Sequence, residues 1–125
     1  MSIDDEAIKN KLFEQGLNAF KSHQFYDAHE YWEDLWSDYR LPDAKFIQGL
    51  IQLSVGYFHI SNSNKNGARG LLNKCIPKLI EYRPEYRNID IENILIGIDK
   101  TLDYLEKIED MKDFNWDLVP VIIKE

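Results

Sequence analysis

One segment constrains this chain more than any other: residues 44–60, "AKFIQGLIQLSVGYFHI". With Ile47 as origin and about 100° of rotation per residue, Phe58, Ile51 and Val55 fall between about 20° and 80°. On the same count Leu50, Tyr57 and Leu53 fall between about 240° and 300°. A helix apolar around most of its circumference must be enclosed by other helices. Yet Gln48, His59 and Gln52 share one narrow stripe, at about 100°, 120° and 140°. Gly49 and Gly56 lie beside it. Buried polar groups cost a few kcal/mol each unless they are hydrogen-bonded, roughly 2–7 depending on the reference. The stripe therefore needs partners, and the glycines leave room for another element or a ligand to come close.

The rest of the chain supplies the enclosure. Ile8, Leu12, Phe13, Gly16, Leu17 and Phe20 recur at helical spacing, and after "KSHQ" so do Ala28, Tyr31, Trp32, Leu35 and Trp36. Pro42 and Asp43 open the central helix, which stops in the turn cluster "SNSNKNG". A fourth helix carries Ala68, Leu71, Leu72, Cys75, Ile76, Leu79 and Ile80, with a kink expected at Pro77. A fifth, N-capped by Asp90, carries Ile91, Ile94, Leu95, Ile98, Leu102, Leu105 and Ile108. No stretch alternates convincingly. The expectation is an all-α domain over residues 1–125, a compact antiparallel bundle of five helices. Its irregular apolar tail, residues 113–125, is expected to pack back on the bundle, with contact to a second copy of the chain as the alternative.

On the second helix, "AHEYWEDLW" splits in two. With Ala28 as origin, Trp36, His29 and Glu33 sit at about 80°, 100° and 140°, on the edge of the buried face, while Glu30 and Asp34 look outward. If helices two and three are antiparallel neighbours, His29, Glu33, Gln48, Gln52 and His59 gather in one place.

Charge narrows the partners. The net charge is −7, which argues against nucleic-acid backbones and anionic membrane surfaces, both of which need clustered cations. Lys65, Arg69 and Lys74 gather modestly at the start of the fourth helix, as a solvated helix start does. No apolar run is long enough for a membrane span. The acidic, polar start is unlike a signal peptide. With Cys75 as the single cysteine, an internal disulfide is excluded and a reducing cytoplasm is expected.

The segments "YDAHEYWEDLW", "FIQGLIQLSVGYFH" and "NKNGARGLL" resemble, in order and spacing, the small all-helical family called domain of unknown function 309. The resemblance runs from about Phe13 to Ile80. Its matching positions are His29, Glu30, Trp32, Glu33 and Trp36, then Gln48, Gly49, Gln52 and His59, then Asn66, Gly67 and Ala68. It implies a compact helical bundle, and members carry the label of predicted metal-dependent hydrolases.

Three readings of the polar stripe stay open. His29, Glu33 and His59 could hold zinc, iron or manganese, the i, i+4 pair chelating from one helix face. Glu33 or Glu30 would then act as general base beside His29. Alternatively, His29 pairs with Glu33 and His59 with a glutamine, in a network that locks two helices together. Or Tyr26, Trp36, Gln48, Gln52 and His59 line a pocket for a small molecule. No covalent nucleophile offers itself, since Ser54 lies on the apolar face. The competing class is a helical interaction protein that docks through the aromatic edge of Tyr26, Trp36 and Tyr57.

Overall fold

The computed structural model describes residues 3–124. Helix α1 spans Ile3–Lys21, α2 Phe25–Asp38, α3 Ala44–Ser61, α4 Lys65–Leu79 and α5 Ile91–Lys107. The fold is all-α, and α3 lies at its centre: Phe46, Ile47, Leu50, Leu53 and Tyr57 are wholly enclosed.

Small residues set how closely the helices approach. A Cβ on Gly49 would lie 2.8 Å from Leu79 Cδ2, and one on Gly56 would lie 2.7 Å from Leu72 Cδ2. Gly49 and Gly56 are one heptad apart, as are Leu72 and Leu79. The α4 leucines therefore enter the α3 glycine gaps in antiparallel register. Gly16 does the same on α1, where the indole of Trp32 from α2 fills the space a side chain would need. The Trp32 Nε1–H donates to the Phe13 carbonyl at 3.2 Å, so this buried indole leaves no unpaired donor.

The helix ends follow from local chemistry. Asp90 caps α5 by accepting from Asn93 N–H at 2.9 Å, and Asn64 caps α4 by accepting from Gly67 N–H at 2.9 Å. Helices α1 and α3 end in left-handed residues, His23 (φ 59°) and Ser63 (φ 57°), where glycine is usual. Pro77 sits in the last turn of α4, which tightens into a 3₁₀ turn at Ile80–Tyr82. Asp43, expected to open α3, precedes it without a side-chain cap bond. Its carboxylate is buried and accepts from Tyr86 Oη at 3.0 Å and from Arg87 Nε at 2.8 Å.

A small antiparallel ladder stands beside the helices. Strands β1 (Glu85–Tyr86) and β2 (Ile89–Asp90) pair through a two-residue turn with Arg87 and Asn88 both at positive φ, as a type I′ turn requires. The chain end adds a third segment, with Ile123 bridging Ile89. Phe114, Val119 and Ile122 are buried in the common core. Pro120 packs into the gap left by Gly97 on α5, where a Cβ would lie 2.7 Å from the proline ring.

Candidate functional site

The polar residues of α2 and α3 go to different places. His29, half-buried on α2, donates from Nδ1 to the Tyr26 carbonyl at 2.9 Å, because a carbonyl can only accept. In the neutral ring Nε2 is then the acceptor. His29, Glu30, Glu33 and Asp34 line one shallow depression of about 370 Å³ that opens outward from α2. Glu33 is exposed.

His59 turns to α4 instead. Asn64 donates from Nδ2 to His59 Nδ1 at 3.2 Å, and a Cβ on Gly67 would lie 2.9 Å from the His59 ring. The sequence "NKNG" thus serves two purposes: Asn64 caps α4 and holds the imidazole, and Gly67 leaves the ring room. Gln52 carries a buried Oε1 that accepts no hydrogen bond among the described residues. Gln48 is half-buried on the same stripe.

The five residues therefore do not form one hydrogen-bonded cluster. Among the described residues, no hydrogen bond or ion pair joins His29, Glu33, Gln48, Gln52 and His59 to one another. The expected His29–Glu33 pair is replaced by a bond to the backbone, and the expected His59–glutamine pair by Asn64. The close neighbour of the glycine side of α3 is α4, whose leucines fill the room that the sequence left open for a ligand. The implied metal also fails a geometric test. Among the described residues no group of three His, Cys, Asp or Glu side chains could hold an ion. His29 and Glu33 face outward on α2, while the His59 ring is committed to the α4 cap. These donors do not fit a metal centre. Ser54 donates to the Leu50 and Ile51 carbonyls at 3.0 Å each and is buried.

The aromatic edge is redistributed too. Tyr57 is buried and shares a 2.8 Å hydrogen bond with Thr101 of α5, so it cannot belong to a surface. Tyr26 and Trp36 do, at 48% and 38% exposed. The Tyr26 ring lies 5.2 Å from Phe58 and 5.1 Å from His29, which holds it upright on the α2 face. A hydrogen bond to the Glu30 carboxylate, followed by that group's charge, raises the Tyr26 phenol above its ordinary value.

The basic residues at the start of α4 are spoken for. Lys65 donates to the Ile108 carbonyl at 3.1 Å, and Arg69 pairs with Glu106 at 3.1 Å. Two features escape a reading by helical period. One is the Asp43–Tyr86–Arg87 network, whose partners lie more than forty positions apart. The other is a cavity between the end of α1 and the tail, signalled only by the tail's apolar content. Among the described residues, no helix is long and apolar enough to cross a membrane.

Residues 13–71 match the family described as a domain of unknown function, DUF309. That segment runs from α1 into α4 and includes His29, Glu33, Gln48, Gln52 and His59. No curated protein matches the chain.

Proposed function

Starting from a chain whose residues 13–71 carry this domain of unknown function, we propose that it is a non-catalytic binding protein. Its recognition surface is the outward face of α2, and its partner is an arginine- or lysine-rich segment of another protein. The observation that carries this reading is the exposure of Tyr26 and Trp36 among the carboxylates of one helix face. Helical geometry places Trp36, His29, Glu33, Tyr26 and Glu30 between about 80° and 200°.

Such a face suits a guanidinium. Arginine stacks on aromatic rings and pairs with carboxylates through a planar fork, and here both kinds of partner lie within one or two turns. Exposed tyrosine and tryptophan are the side chains that most often anchor interfaces. The net charge of −7 steers a cationic partner towards the chain. His29 adds an acceptor nitrogen to the same depression. His59, Gln48 and Gln52 act in this reading as packing elements between α3 and α4. A hydrolase reading lacks an assembled group to carry it: the metal donors do not fit, and Ser54 is tied to its own helix.

The test is fluorescence anisotropy with a labelled hexa-arginine peptide. Reversing Glu30 and Glu33 together to lysine should weaken binding about tenfold or more, as loss of a paired charge at an interface does. Reversing Asp99 and Glu109 on other surfaces makes the same charge change and should cost about twofold or less, a general steering effect. Equal losses for both pairs, or no binding at about 1 mM peptide, would overturn the proposal.

A further inference from the structure

The returning tail leaves a cavity of about 230 Å³ against the C-terminal end of α1, lined by Phe20, Lys21, His23 and residues 119–123. Its inner wall is apolar, since Phe20, Val119 and Ile122 belong to the core. Lys21 and His23 are the lining side chains that ionise, and any charge they carry is positive. Neither forms an ion pair among the described residues. The His23 ring stacks on Phe25 with centroids 5.2 Å apart and lies 6.2 Å from Trp116, so it forms a fixed wall.

One backbone group favours an anion at this rim, and the repulsion expected of a helix C-terminus is reduced. Three carbonyls of the last turn are engaged: Asn18 and Ala19 accept from Ser22 and Gln24, and Phe20 accepts from His23. In the ladder, Asp90 N–H donates to the Ile122 carbonyl and Lys124 N–H to the Asn88 carbonyl. Those groups point to β2, so the N–H of Ile123 points to the opposite edge. There it makes no hydrogen bond among the described residues.

We infer that this cavity binds a small aliphatic carboxylate, its chain against Phe20, Val119 and Ile122 and its head group at Lys21 and the Ile123 N–H. Size sets the chain length. An apolar cavity of about 150 Å³ accepts benzene, with six heavy atoms, so the space here takes about nine. That is a six- or seven-carbon acid. The site lies apart from the α2 face and is independent of the function proposed there.

The full chain is titrated with sodium hexanoate, and backbone amide shifts are followed by NMR. Saturable shifts confined to residues 20–23 and 119–123 are expected. Hexylammonium, of similar chain length but with a cationic, donor-only head group, should bind about tenfold more weakly or worse. Lys21→Glu should lose a similar factor, while Lys21→Arg stays within about threefold of the parent. Lys21 is exposed, so thermal unfolding should show both variants folded; Lys21→Gln replaces the glutamate variant if it is not. No saturation below about 20 mM hexanoate, equal binding of hexylammonium, or an unaffected Lys21→Glu variant would overturn the inference.

Discussion

Gly16 of α1 leaves room for the indole of Trp32, which fills the space a side chain at that position would occupy. The same indole donates to the Phe13 carbonyl three residues earlier, so steric fit and hydrogen bond reinforce each other. Gly16→Ala should gain about 1 kcal/mol in helix propensity. It forces a wholly buried ring off its seat, however, and overpacking of that kind costs about 1–3 kcal/mol, sometimes more. With the hydrogen bond also displaced, a net loss of about 2 kcal/mol is expected in urea unfolding. A stabilised Gly16→Ala variant would show that the ring is free to move.

Gln52 is expected to behave in the opposite way. Its buried Oε1 accepts no hydrogen bond among the described residues, and such an orphan costs about 1–3 kcal/mol. Gln52→Met keeps the length and removes the polar atoms, so stability should rise by about 1 kcal/mol. Loss of stability in this variant would mean that the amide has a partner in solution.

Asp43 should be among the costliest polar residues to remove. It is 5% exposed and receives three hydrogen bonds, from Tyr86 and twice from Arg87. The Arg87 guanidinium also lies 4.7 Å from the Phe13 ring, so the network ties the hairpin tip to α1 and α3. Asp43→Ala leaves that cation without its counter-charge, and a loss of about 3 kcal/mol is expected. Glu81→Ala breaks the half-exposed pair with Lys45 and should cost about 0.5 kcal/mol or less. Equal costs in parallel urea titrations would contradict the distinction.

Alkaline pH should unfold the protein through groups that the core keeps neutral. Burial pushes the Cys75 thiol from 9.0 up to about 12, and burial likewise raises the Tyr57 phenol. Both folded-state values lie above the unfolded ones. Their contribution is therefore fully present below about pH 9 and is lost as pH rises towards the folded values. For Cys75 the loss is about 1.4 kcal/mol per pH unit between its unfolded and folded pKa. Urea midpoints should hold steady from about pH 6 to 8 and fall from about pH 9 to 11. Cys75→Ala should flatten the early part of that fall. Parallel pH profiles for the two proteins would contradict the assignment.

How much of this was legible in the sequence depends on the range of the interaction. The apolar circumference of α3 and the Asp90 cap are local patterns, and both appear as expected. The heptads Gly49–Gly56 and Leu72–Leu79 were also present in the sequence. Their spacing matches, but only packing reveals that one enters the other. Without that contact the polar stripe reads as facing α2, which would bring His59 towards His29. The asparagine that holds His59 was visible only as part of a turn. Asp43 opens α3 as expected, but the partners of its carboxylate lie beyond the whole of α3 and α4 and depend on a two-residue turn, so no local pattern points to them. The cavity at the end of α1 is closed by the irregular residues 119–122 and one bridge at Ile123, which have no period to detect.

A residue-by-residue map of where a cationic peptide touches the folded chain tests the α2 face directly. Amide and side-chain NMR shifts are recorded as the hexa-arginine peptide is added. Perturbations centred on Tyr26, His29, Glu30, Glu33 and Trp36 are expected, with Gln52, His59 and Asn64 unmoved. Shifts centred instead on Gln48, Gln52 and His59, or spread evenly over every acidic surface, would contradict the α2 face as the recognition surface.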